Sequence, residues 1–372
     1  MKSLQLCAPC LFGLEGILGN ELRRMDADNV KAENGRVFFE GGPEILARAN
    51  ICSRYAERIQ VVMGRFEAKS FDCLFENVRS LPWEQFIGKK DRFPVKGWSL
   101  ESALHSVPDC QSIIKKAVVE RLKEKYRTSW FDETGVLYQI QFTILKDEVT
   151  VLVDSSGSGL HKRGYRAIAG VAPLKETLAA AIVDLARARK ARRVFDPCCG
   201  SGTLLIESAL AALGIAPGIR RKFSSSNWSQ VPDAIWKQER DRARQAERRD
   251  VEFSALGSDI DKQAVALTME NAKLADVGKV VSATYADLSD FKTDDGGGVV
   301  LCNPPYGERL ADINQAERLI RIMGRVFKPG NGWSYYIISS HERFEKLFGR
   351  PADKRRKLYN GMLKCQLYMY YR

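Results

Sequence analysis

No run of 18 consecutive apolar residues exists in this 372-residue chain, so nothing in it is long and apolar enough to cross a bilayer as a helix. Histidine is scarce, with 3 in all, which leaves little from which to build a metal centre or a histidine base. The 9 cysteines are odd in number and scattered from Cys7 to Cys365. They lack the paired spacing of a disulfide framework, and a reducing, cytoplasmic compartment is expected. Cys7 and Cys10 form one CxxC, but without a second pair or a nearby histidine they read as two small apolar residues on a strand. A secretion signal is also missing: Pro9 and Glu15 interrupt MKSLQLCAPCLFGLEGIL, which reads as the start of folded protein. Internal repeats are absent.

What the chain does have is positive charge, unevenly placed. Residues 1 to 160 hold 22 Lys and Arg against 22 Asp and Glu, while residues 161 to 372 hold 36 against 24. The whole excess of +12 therefore lies in the second half, as expected where a polyanion is bound. It concentrates in HKRGYR at 161, RARKARR at 187, RRK at 220 and KRRK at 354.

The first 65 residues read as strand, helix, strand, helix, strand, from LQLCAPCL through RVFFE to RIQVVMGRF. A second α+β unit follows over 66–155. It has Phe71, Leu74, Phe75 and Val78 on one helical face, a strand around FPVKGWSLES, and a helix from about Cys110 to Tyr126. The strands YQIQFTIL and VTVLVD meet at KDE. SSGSG, 155–159, is the expected linker. From about 160 onward strands and helices alternate, which predicts a mostly parallel sheet with helices on both faces. RVFD, FSALGSD, VVSATYAD, VVLCN and WSYYIISS are its strands, a terminal strand pair ends the chain, and 214–252 reads as a largely helical insertion.

Two segments carry the chemistry. DPCCGSGTLLIESAL, 196–210, leaves a strand and opens a helix: Gly200 and Gly202 permit a tight turn, and the helix N-terminus offers free N–H groups to a ligand. Asp259 and Asp287 end the second and third strands of this half, where an acid grips ribose hydroxyls or an adenine amine, though each also suits a helix cap. The other segment is LCNPPYGERL, 301–310. Two consecutive prolines have no N–H to donate, so the strand must stop in a stiff corner at Asn303.

In this order the motifs resemble the class I S-adenosylmethionine-dependent methyltransferases that modify amines. The nearest likeness is to the family pairing a THUMP domain with an NPPY methyltransferase domain, typified by RlmL-type enzymes that methylate guanine N2 in 23S ribosomal RNA. HKRGYR, APLKETLAAA, DPCCGSGTLLIE, GSDID and NPPYGER carry the likeness, with VPDCQSIIKKAVVERL in the THUMP-like region. It implies a ferredoxin-like domain over 1–65, a THUMP RNA-binding domain over 66–155 and a Rossmann-like methyltransferase domain over 160–372 with a seven-stranded sheet. It also implies S-adenosylmethionine as cofactor, S-adenosylhomocysteine as product, and no metal. Asp196, Cys198, Gly200, Gly202 and Thr203 should line the methionine end, and Thr177 the carboxylate. Asp259 and Ile260 should hold ribose and adenine, and Asp287, with Leu288 beside it, the adenine amine. Neither Cys198 nor Cys199 is assigned as a nucleophile.

At the corner, Asn303 and the Pro304 carbonyl can accept hydrogen bonds from both hydrogens of an exocyclic amine, localising its lone pair for attack. Pro304 and Pro305 lock that geometry, and Tyr306 offers a flat face to an extruded base. The likeness gives the same catalytic positions. Lys162, Arg163, Tyr165 and Arg166, with Lys354, Arg355 and Arg356, are expected to meet RNA phosphate.

The motif itself fixes only an amine or amide acceptor. A tRNA guanine-N2 methyltransferase, an adenine-N6 enzyme acting on DNA or RNA, and a non-catalytic RNA-binding assembly factor stay open. The residues after Tyr306 suffice to finish the sheet but not to build a DNA-reading domain, which favours RNA. The larger form of the family carries a second catalytic domain, and the chain ends before one, so a single modification is expected. Neither a membrane nor an obligate protein partner is evident.

Overall fold

A strand that alternates polar and apolar residues buries one face only, and QIQFTIL obeys this: Ile140, Phe142 and Ile144 are fully buried between half-exposed neighbours. The computed structural model describes residues 3–166, 174–305, 310–328, 330 and 332–371. The chain divides into two compact units: Met1–Cys10, Leu18–Leu160 and Lys222–Arg242 make one, and Leu11–Ile17, His161–Arg221 and Ala243–Arg372 the other.

The first unit contains β1 (Leu4–Pro9), most of α1 (Glu15–Arg23), β2 (Asp28–Glu33), β3 (Arg36–Gly41), α2 (Pro43–Cys52), β4 (Gln60–Glu67), α3 (Phe71–Ser80), β5 (Val95–Leu100), α4 (Val107–Tyr126), β6 (Gln139–Leu145) and β7 (Glu148–Asp154). The strands form one sheet in the order β2-β3-β1-β4-β7-β6-β5. The two α+β segments thus share a continuous sheet, joined where β4 pairs antiparallel with β7. Ile114, Ala117, Val118 and Leu122 recur at helical spacing on α4 and are fully buried; each large apolar side chain so buried contributes about 1.5–3 kcal/mol. β2 was not expected, because DNVKAE has no alternation to reveal a nearly exposed edge strand.

SSGSG is not a loose linker at its start. Ser155 and Ser156 are fully buried and satisfy backbone groups inside the unit. Ser155 Oγ donates to the Ile59 carbonyl at 2.7 Å, Asn50 Nδ2 donates to Ser155 Oγ at 2.9 Å, and Ser156 Oγ donates to Asn50 Oδ1 at 2.6 Å. Small hydroxyls can pair within a core, which composition alone does not show.

The second unit contributes α5 (Glu176–Leu185), β8 (Arg193–Asp196) and α6 (Thr203–Ala212); the chain then returns to the first unit with Lys222–Arg242, including most of α7 (Asp233–Gln245). There Trp228 stacks on Tyr138 at 4.8 Å and donates its indole N–H to the Leu137 carbonyl, and Arg48 forms a two-pronged pair with Glu239. The expected insertion therefore has its own packing partners. The second unit continues with β9 (Ser254–Asp259), α8 (Lys262–Leu274), β10 (Val281–Tyr285), β11 (Gly298–Cys302), α9 (Leu310–Val326), β12 (Trp333–Ser339), α10 (Phe344–Phe348), β13 (Lys354–Asn360) and β14 (Leu363–Tyr370).

Its sheet runs β10-β9-β8-β11-β12-β14-β13. The first five strands are parallel, and β14 returns antiparallel beside β12. Every residue of β12, WSYYIIS, is buried, as a central strand covered on both faces requires. Phe327, Tyr335, Phe344, Phe348, Tyr368 and Tyr370 pack in an aromatic cluster around its end.

Candidate active site

Parallel strands end on the same edge of a sheet, and a crevice opens where connections leave in opposite directions from adjacent strands. Here that point lies between β8 and β11, which pair through Val194 with Val299 and Phe195 with Val300. The register brings the turn after Asp196 beside the corner at Asn303.

The turn after β8 depends on two left-handed residues, Gly200 with φ +53° and Gly202 with φ +78°. Gly202 also lacks room: a Cβ there would lie 2.8 Å from Thr268 Cγ2. α8 holds this turn from below, as Thr268 Oγ1 donates to the Gly200 carbonyl at 2.8 Å and Asn271 Nδ2 to the Ser201 carbonyl at 2.9 Å. Neither residue was anticipated; their spacing of three on a helix following a glycine turn is the signal that was there. Asp259 accepts from the Gly200 N–H at 2.9 Å and the Asp261 N–H at 3.0 Å. Asp261, not Asp259, caps α8, accepting from the Gln263 N–H. Asp287 accepts from the N–H and hydroxyl of Ser289, both at 2.7 Å, so it caps the short helical turn Leu288–Asp290.

The electrostatics are uneven. Burial, reinforced by the nearby charge of Asp259, pushes the Asp196 carboxyl up to about 8, against the opposing hydrogen bond from the Cys198 N–H. Burial likewise drives the Cys199 thiol up to about 12. Cys302 is raised well above the usual thiol range by its hydrogen bond with Cys198 and by burial. These thiols are poor nucleophiles. The Ser289 hydroxyl and N–H hold Asp287 below the usual carboxylate range.

Asp196, Cys198, Gly200, Thr203, Asp259, Ile260, Asp287, Leu288, Asn303 and Pro305 line one open cleft of about 1320 Å³. Ile260 is 64% exposed there, one apolar face among others from Ala264, Leu267 and Leu288. Gly202 and the buried Pro304 are not among the lining residues. Thr177 is fully buried in α5 and is not among the lining residues, and Tyr306 lies outside the described residues. The cleft has a wall that sequence did not reveal, formed by Gln315, Arg318, Leu319, Ile322 and Arg325 of α9.

The cations named from sequence fare differently. Arg163 and Tyr165, expected at phosphate, are buried against Glu207, which lies 3.5 Å from Arg163 Nε and accepts from the Tyr165 hydroxyl at 3.1 Å. Burial removes both from the reach of a nucleic acid. Arg166 lines the cleft, paired with Glu176 at 3.1 Å and donating to the Thr203 hydroxyl at 3.1 Å. Lys162 and Lys354 are exposed. Arg355 pairs with Glu345 at 2.9 Å, and Arg356 donates to the Gly13 carbonyl at 2.6 Å.

Comparison with known proteins adds a lineage to this geometry. The model of an RMKL-like methyltransferase domain matches residues 163–369, that of the RlmL ferredoxin-like domain residues 5–60, and that of the THUMP domain residues 68–154. The chain is 42% identical, over its full length and 97% of the relative, to YpsC of Bacillus subtilis, a protein provisionally named an RNA methyltransferase. It is 32% identical to the ribosomal RNA large subunit methyltransferase K/L of Syntrophotalea carbinolica; the match takes in 95% of the chain but 52% of that longer protein. Among solved structures, SMU.472, provisionally described as a methyltransferase and crystallised with SAH, matches with a TM-score of 0.94 and 40% identity, covering 100% of this chain and 98% of its own.

Proposed function

Because the chain belongs to the family of RMKL-like methyltransferases, we propose that it transfers the methyl group of S-adenosylmethionine to the N2 amine of a guanine in structured RNA, with large-subunit ribosomal RNA as the substrate. The observation that carries this reading is the convergence of the Asn303–Pro305 corner with the glycine turn of β8 on one cleft. The RNA class draws support from the THUMP match and from the K/L relatives.

The residues present fit that donor. Gly200 faces open space, since a Cβ built there would meet no atom within 4 Å. The exposed Ile260 offers an apolar face to a purine, with the carboxylates of Asp259 and Asp287 nearby on the same rim. Asp196 is a carboxyl ready to ionise beside a positive group. When bound, the donor supplies an electrophilic methyl carried on a sulfonium.

The chain's own residues do the rest. An exocyclic amine is a weak nucleophile because its lone pair is shared with the ring. Asn303 Oδ1 and the Pro304 carbonyl accept from its two hydrogens and stabilise the positive charge that grows on nitrogen. Two prolines fix both acceptors before the substrate arrives, so little reorganisation is needed. Holding amine and methyl in line is worth about 7–11 kcal/mol, which makes positioning the main source of rate. Tyr306 is assigned the stacking face for the extruded base, worth roughly 1–3 kcal/mol.

Nucleoside mass spectrometry of ribosomal RNA from a deletion strain tests the reading. N2-methylguanosine should fall by one residue per large-subunit RNA and return with the wild-type gene. Loss of N6-methyladenosine instead, or loss confined to tRNA, would replace the assigned base or RNA class.

A further inference from the structure

Acids line the cleft where β8, β9 and β10 end, at Asp196, Asp259, Asp261 and Asp287, and Glu270 of α8 adds another. The wall formed by α9 carries the other sign. Gln315, Arg318, Ile322 and Arg325 follow one another on α9 at spacings of three, four and three, so they share one helix face. Arg318 and Arg325 are exposed, and neither has an ion pair or hydrogen bond among the described residues. Other cations of this half do have partners: Arg166 pairs with Glu176, Arg193 with Asp294, and Arg321, one position round α9, with Glu317 at 3.1 Å.

Arg318 adds a minor favourable charge near Asp287 without pairing with it, so both guanidinium groups can still take up an anion. The amine acceptor is neutral and the sulfonium is positive, so neither provides it. The donor has a single carboxylate, which could match one arginine at most. Seven residues of helix separate the two positions by about 10 Å along the axis, a span that suits successive groups of a polymer. At about 1320 Å³ the cleft also exceeds the roughly 300–1,000 Å³ usual for a small-molecule site. Phosphodiesters match both the charge and the spacing, and arginine takes phosphate oxygens in a two-pronged geometry.

We infer that this face of α9 is the track along which the RNA strand bearing the target base lies, with Arg318 and Arg325 each holding a backbone phosphate. The inference rests on the RNA methyltransferase reading above. It places the substrate backbone on a helix that none of the basic clusters in the sequence marks.

The test uses the full chain with S-adenosylhomocysteine bound, and an unmethylated large-subunit ribosomal RNA transcript as probe. Affinity is measured by fluorescence anisotropy across a salt series for wild type, Arg318→Gln, Arg325→Gln, the double variant and Arg321→Gln. Each of the first two substitutions should lower the slope of log affinity against log salt by about 0.7–0.9, and the double variant by about twice that. Arg321→Gln, which removes the same charge from the same helix, should leave the slope unchanged. Affinity for S-adenosylhomocysteine, measured by calorimetry, should be equal in all five proteins. An unchanged slope in the double variant, an equal effect from Arg321→Gln, or loss of cofactor affinity overturns the track while leaving the RNA reading intact. A wild-type protein that does not bind the transcript removes the reading and the inference together.

Discussion

Two sheets of seven strands each occupy this chain, and the cleft with the glycine turn and the Asn303 corner lies at the strand ends of the second. In the first, every neighbouring pair is antiparallel except β5 with β6, so successive strand ends alternate between opposite edges and the loops disperse. In the second, β10, β9, β8, β11 and β12 all point the same way, and their outgoing turns deliver Asp196, Asp259, Asp287 and Asn303 to one rim. Strand direction, not sheet size, decides where polar groups converge. The buried polar groups of the first sheet are instead spent on structure, as Asn50, Ser155 and Ser156 show.

If that contrast holds, substitutions in the two sheets should fail in different ways. The largest effect is expected at the corner: Asn303→Ala should lower turnover by at least about 10², with S-adenosylhomocysteine affinity kept within about twofold. Near-normal turnover would remove the corner from the chemistry. Asn50→Ala makes the opposite separation. It strips partners from two buried hydroxyls and should cost about 1–3 kcal/mol of stability, read by urea unfolding of the full chain. Turnover per folded molecule in mild conditions should not change; a parallel fall in turnover would break the division of labour.

A smaller effect distinguishes the two glycines of the β8 turn. Both sit in the left-handed region, where a side chain costs about 1–2 kcal/mol, but only Gly202 also abuts Thr268. Gly202→Ala should therefore lower the stability of the ligand-free protein more than Gly200→Ala, read by urea unfolding of the full chain. Equal losses would mean that backbone conformation alone matters there and that α8 does not brace the turn.

Much of this is legible in the sequence alone. Alternation exposed β6, prolines fixed the end of β11, and glycines marked the turn after β8, because each is a local rule with one strong physical cause. Partnership was not legible. HKRGYR displays its charge but not Glu207, the buried carboxylate that claims Arg163 and Tyr165. The likeness assigns Thr177 to the cofactor without showing that α5 has scarcely any polar face and buries it. The α9 arginines escaped notice because they are spread singly along a helix, and the face they share becomes apparent only once that helix is seen against the cleft. Ser155 and Ser156 look like linker residues until the acceptors around them are known.

The smallest predicted effect concerns two buried aspartates, one at an end of each sheet. Asp154, closing β7, is raised by burial, but Arg58 opposes that rise and pairs with it directly. Asp196, closing β8, faces Asp259 instead of a cation and is pushed up to about 8. Its unfolded counterpart loses its proton near 3.8, so between these values the folded protein holds one more proton than the unfolded chain. Stability of the ligand-free protein should then decline as pH rises through this window, and Asp196→Asn should flatten the decline. A positive group bound beside the carboxyl favours its ionised form, so cofactor binding near neutral pH should release a proton and strengthen as pH approaches 8. Calorimetry in two buffers of different ionisation heat measures that proton directly. Release that persists undiminished in Asp196→Asn would assign it to another group, and the contrast between a paired and an unpaired buried carboxyl would lose its functional meaning.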